Sequence, residues 1–130
     1  MMARVLIFSL LVVGNISGVC QQTITDLSVK DLAAKMDRDE NIFILDVRTT
    51  EEINEGVIGK PIHIDYFSPD FEKQIARLDK NQSYVVYCAS GYRSREAQKV
   101  MKQLGFKTVY NLPSGFVGWQ RARMPVSKAL

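Results

Sequence analysis

Apolar positions along the chain fall into short, nearly unbroken runs, and between the runs they recur at helical spacing. The runs are Thr23–Leu27, Asn41–Val47, Ile62–Ile64, Tyr84–Tyr87 and Lys107–Asn111. Asn41–Val47 is apolar at almost every position, the pattern of a parallel strand buried on both faces. Leu32, Ala33 and Met36 share one helical face, as do Phe71, Ile75 and Leu78, and then Ala97, Val100, Met101 and Leu104. End signals agree with these periods. Ser28 caps the first helix, with Asp31 three residues on as in a capping box. Thr50 caps a short acidic helix that runs through Glu55 and stops at Gly56. Ser68-Pro69 opens the next helix, and Gly105 closes the one after it. Pro113 to Gly115 forms a turn before a last short helix carrying Phe116 and Trp119. Strands joined through helices imply an α/β fold, with a central parallel sheet of about five strands and helices on both faces.

In such sheets ligands bind beyond the carboxyl ends of the strands. The run Tyr84–Tyr87 ends at Cys88, a loop containing Gly91 follows, and a helix begins. Loop N–H groups and a helix N-terminus there favour an anion, and so a thiolate, which is the nucleophilic form of cysteine. Arg93 and Arg95 add positive charge nearby. Asp46 and Arg48 sit at another strand end on the same sheet edge. Glu96 and Asp46 are the candidate partners for Arg93, and Ser94 is expected to cap the helix. His63 is the sole histidine and falls on a strand, so neither a Cys-His pair nor a metal site is expected. Trp119 reads as core.

From Cys88 to Arg93 the pattern is C-x4-R, with Gly91 and Ser94 filling C-x-x-G-x-R-S. This resembles the active loop of the rhodanese family of sulfurtransferases. Asp46-Val47-Arg48 resembles the family's D-x-R, and Glu51-Glu52 its acidic positions. Ser114–Trp119 resembles its G-G-x-x-x-W. Gly56–Ile64 is similar to its G-H-I-P-G-A-x-x-I-P but departs from it at Val57, Gly59 and Lys60-Pro61. The resemblance runs from about Thr23 to Val126 and implies a rhodanese-like fold. It implies sulfur transfer: Cys88 attacks the outer sulfur of a small anionic donor such as thiosulfate. Cys88 then holds a persulfide and yields it to cyanide or a thiol, including that of a partner protein. Ala89, Ser90, Gly91, Tyr92, Arg93 and Ser94 would form the substrate cradle, supported by Asp46 and Arg48, with no cofactor. A non-enzymatic persulfide carrier serving one partner is the alternative. Cysteine phosphatases carry one more loop residue, a wider cradle suited to phosphate.

The chain has 130 residues, enough for one domain. The net charge of +3 comes from scattered residues, which argues against nucleic acid as a partner. Residues 1–20 have the three parts of an export signal: Arg4, the apolar run Val5–Val13, and the small, polar exit Gly14–Cys20. The domain is then residues 21–130, exported to a bacterial periplasm. Cleavage near Cys20 or lipidation of Cys20 would follow, the latter making the only membrane attachment. One cysteine would remain in the mature domain, leaving no resolving thiol for dithiol redox chemistry.

Overall fold

The computed structural model describes residues 21–130, together with Gly14 and Gly18. Apart from those two glycines, the export signal read from residues 1–20 lies outside the residues described. Five strands alternate with five helices: β1 (Thr23–Asp26), α1 (Val29–Asp37), β2 (Phe43–Asp46), α2 (Thr50–Ile53), β3 (Ile62–His63), α3 (Phe71–Ala76), β4 (Ser83–Tyr87), α4 (Tyr92–Gln103), β5 (Thr108–Asn111) and α5 (Gly115–Arg121). The sheet order is β1-β5-β4-β2-β3 and every pairing is parallel. Each parallel pairing needs a crossover, which the helices supply.

Alternation along the strands divides the core. Leu45, Tyr84, Val86 and Val109 face one way and pack with Phe71 and Ile75 of α3 and Ala97 and Met101 of α4. Ile44, Val85 and Tyr87 face the other way and pack with Leu32 of α1 and Phe116 and Trp119 of α5. The helices therefore cover both faces, as the periodicity predicts.

The ends of the elements follow local chemistry, with corrections at two helices. Ser28 accepts a hydrogen bond from the Asp31 N–H (3.1 Å) and opens α1. Thr49, not Thr50, caps α2, and the helix ends at Ile53 rather than running through Glu55. The Thr49 hydroxyl accepts from the Glu52 N–H (3.3 Å), and the Glu52 carboxylate accepts from the Thr49 N–H (2.8 Å). The reciprocal pair needs a Glu three residues after the cap, and only Thr49 has one. The helix predicted from Ser68-Pro69 starts later, at Phe71 after Asp70. Ser68 instead donates to the Asp70 carboxylate, which stabilises a turn.

β4 lies at the centre of the sheet, and Tyr84–Tyr87 are buried. In the register of β2 with β4, Asp46 lies opposite Tyr87. Asp46 and Cys88 thus reach the same edge of the sheet, one residue apart in level.

Candidate active site

Cys88 follows β4 directly, and its side chain is 1% exposed. The chain then reverses into α4, whose N-cap is Gly91 at φ +95°. That left-handed conformation suits glycine. The space demands it too, since a Cβ on Gly91 would sit 2.1 Å from the Pro113 carbonyl oxygen. The turn points the Gly91 N–H at Cys88 Sγ, 3.1 Å away.

The first turn of α5 holds the loop from behind. The Phe116 N–H donates to the Cys88 carbonyl (2.8 Å), and the Val117 N–H donates to the Ala89 carbonyl (3.0 Å). Gly115, at φ +60°, makes this approach feasible, because a Cβ there would meet the Ala89 oxygen at 2.4 Å. With the loop carbonyls engaged behind, its N–H groups are free to turn toward sulfur.

Ser94 is expected to cap α4, and the structure gives it another task. It is buried on the first turn of α4, and its hydroxyl donates to Sγ at 3.5 Å. Burial alone would push the Cys88 thiol up. The Ser94 hydroxyl and the peptide N–H groups of Ser94, Ser90 and Gly91 outweigh burial and bring it below the ordinary thiol range. The dipole of α4, a helix of 12 residues, points its positive end at the same place. This is the environment of a reactive cysteine. Ala89 is half-buried, while Ser90 and Tyr92 point to solvent.

Arg93 does not pair with Glu96 or Asp46. Glu96 binds Lys99 at 2.8 Å. Arg93 instead reaches α2 and grips both carboxylate oxygens of Glu52, at 2.7 and 2.8 Å. The Arg93 guanidinium holds the Glu52 carboxyl down to about 2, against the opposing effect of burial. Glu52 thus closes the capping box of α2 and ties the Cys88 loop to it. The Thr-x-x-Glu spacing from Thr49 was the available signal for this residue. Arg95 only approaches Asp26, at 3.7 Å, with both side chains about half exposed.

Asp46 and Arg48 form a buried pair, with side chains 0% and 1% exposed. Arg48 Nε and Nη2 donate to Asp46 at 3.1 and 2.8 Å. Arg48 Nη1 donates to the Glu52 carbonyl (3.2 Å), and Nη2 donates also to the Gly56 carbonyl (2.6 Å). Its guanidinium lies 4.0 Å from the centre of the Phe116 ring. One side chain therefore joins the strand end, the C-terminal part of α2 and the loop after it, and the start of α5. His63 Nε2 lies 2.7 Å from the Arg48 carbonyl oxygen. Trp119 is buried in the core, and its Nε1–H donates to the Pro125 carbonyl at 2.8 Å.

The departing stretch Gly56–Ile64 is strapped by the C-terminal residues through a bridge from Val57 to Ser127. It lines a cavity of about 220 Å³ with Ser127–Leu130, and no lining residue belongs to the Cys88 loop.

A sequence model of the Rhodanese-like domain matches residues 28–122, which include every residue of this site. The chain belongs to the rhodanese-like domain family. YtwF of Bacillus subtilis, which carries a provisional sulfurtransferase name, is 36% identical over 102 residues, covering 78% of this chain and 96% of YtwF. YrkF of the same organism, with a provisional sulfur-carrier name, is 35% identical over 106 residues. The match covers 82% of this chain but 56% of YrkF. The crystal structure of a rhodanese-related protein from Thermoplasma volcanium superposes with a TM-score of 0.70 at 26% identity, over 78% of this chain and 96% of that one. Relatives of this rhodanese-like domain are thus named both for sulfur transfer and for sulfur carriage, and at that level the chain groups with the transferases.

Proposed function

We propose that this rhodanese-like domain is a sulfurtransferase that carries sulfane sulfur on Cys88. The observation that supports it is the cradle itself. A buried thiol, drawn below its ordinary pKa by the Ser94 hydroxyl and loop N–H groups, sits at a helix N-terminus. With thiosulfate, the Cys88 thiolate attacks the outer sulfur, and the S–S bond of thiosulfate breaks. Its electron pair leaves on sulfite, and Cys88 is left as a persulfide anion. The loop N–H groups that lower the thiol pKa are placed to stabilise that anion. An acceptor, cyanide or a thiol, then removes the outer sulfur and restores the thiolate.

Intact mass of the chain after thiosulfate treatment tests this reading. A gain of roughly 32 Da, reversed by cyanide and absent in Cys88→Ser, is the expected result for a sulfur-accepting nucleophile. No gain with thiosulfate would reject it as donor and favour the second reading, a carrier loaded by a dedicated partner. The name of YrkF is what supports that second reading. The short C-x4-R loop argues against phosphate hydrolysis, and turnover of an aryl phosphate would refute that argument. Export rests on the sequence of residues 1–20 alone. It places the domain in a periplasm, either free or held by a lipid on Cys20, and the mass of the mature N-terminus distinguishes the two.

A further inference from the structure

Three exposed apolar side chains stand on segments that touch the Cys88 loop. Tyr92 is 71% exposed, Phe67 66% and Val117 39%. Each is tied to the loop by its own contact. Tyr92 opens α4 directly after Gly91. The Phe67 ring lies 5.6 Å from the Arg93 guanidinium, and its edge-on contact with Tyr66 (5.5 Å) holds it there. Val117 is fixed by the bond of its N–H to the Ala89 carbonyl. Cys88 lies beneath, almost fully covered.

Exposed apolar residues gathered around a reactive group mark an interaction site, and aromatic ones are enriched at interfaces. The charges around this one define its partner further. Arg93 is neutralised by Glu52, so this side chain adds no net charge to the rim. The centre, made of loop N–H groups and the α4 N-terminus, favours an anion. Cyanide or a small inorganic anion would use the centre and gain nothing from the rim. A thiolate carried between apolar side chains would use both.

Resting on the persulfide reading above, we propose that Phe67, Tyr92 and Val117 select sulfur acceptors: cysteine thiolates of polypeptides with apolar residues on either side. In the step concerned, the acceptor thiol passes its proton to the outer sulfur of the Cys88 persulfide anion, giving Sγ–SH, and the thiolate so formed attacks that sulfur. The bond between Sγ and that sulfur breaks, and its electron pair stays on Sγ as the thiolate. The acceptor leaves as RS–SH, carrying the outer sulfur and its proton. No outside oxidant or reductant is needed.

The test uses the full chain loaded to the persulfide, with loading checked by intact mass. Single-turnover transfer is then timed to two blocked tripeptides, Leu-Cys-Phe and Ser-Cys-Ser, at equal thiolate concentration. The apolar peptide should react about tenfold faster, the gain expected from burying a small apolar area on the rim. Phe67→Ser should remove most of that advantage and leave transfer to Ser-Cys-Ser within about twofold of its original rate. Val117→Ser, at a separate position on the rim, should act in the same direction. Equal rates for the two peptides, or an advantage that survives both variants, would overturn the proposal. Failure to load the persulfide would overturn the sulfur-transfer reading and this inference with it, and the mass spectrum separates the two failures.

Discussion

Replacing Asp46 by Asn tests whether the buried pair holds the site together. In the folded protein the Arg48 charge is 1% exposed, and Asp46 is the carboxylate it binds. The substitution keeps the shape but leaves that charge uncompensated. Breaking one side of a buried pair costs about 3–5 kcal/mol. A domain of this size is stable by only about 5–15 kcal/mol, so the variant should be folded but marginal. At about 4 °C per kcal/mol, the melting temperature should fall by roughly 12–20 °C. Urea unfolding followed by the fluorescence of Trp119, the single tryptophan and a core residue, measures the loss directly. The midpoint should fall with little change in slope. Asp46→Leu combined with Arg48→Met removes both charges and should cost less than Asp46→Asn alone. A loss below about 1 kcal/mol for Asp46→Asn would refute the reasoning, since that is the range of exposed pairs.

Other consequences follow from the loop and its ties. Ser94→Ala removes the hydroxyl that donates to Sγ, so the Cys88 thiol should titrate at higher pH. The thiolate exists above the pKa, so the alkylation rate against pH should shift its midpoint upward with little change in its plateau, and an unmoved midpoint would refute the role given to Ser94. Glu52→Gln loses the double bond to Arg93 and should cost about 1–2 kcal/mol at neutral pH, allowing for solvent screening. Because the folded carboxyl is depressed from 4.5 to about 2, this stability is present above 4.5 and lost as pH falls toward 2. Urea midpoints of the two proteins should therefore converge in acid, and a gap independent of pH would contradict the ion pair. Gly115→Ala places a Cβ against the Ala89 carbonyl at a positive φ and should destabilise by about 1–3 kcal/mol. It should also slow alkylation of Cys88, and a neutral effect on both would show that α5 does not shape the loop.

The sequence by itself determined the elements and the position of the candidate nucleophile. Periodicity placed all five strands and the faces of α1 and α4, because strand and helix periods follow from backbone geometry within a few residues. Cys88 was legible because a strand end, a glycine and a helix start are adjacent in sequence. The cap of α2 lies one residue before the one its sequence suggests, since Thr49 and Thr50 differ only in which has Glu three positions on. The tertiary structure decided the partners. Arg93 finds Glu52 across 41 residues, although Glu96 lies much nearer in sequence. Asp46 and Arg48 look like a polar strand end and prove to be buried, because α2 and α5 close over them. Ser94 carries a hydroxyl suited to capping, but Gly91 ends the loop at the N-cap position and Ser94 is turned to sulfur instead. Gly115 looks like any turn glycine until the Ala89 carbonyl is seen against it. Caps and periods are local quantities, whereas the choice among several charged partners depends on which distant segments the sheet order brings together.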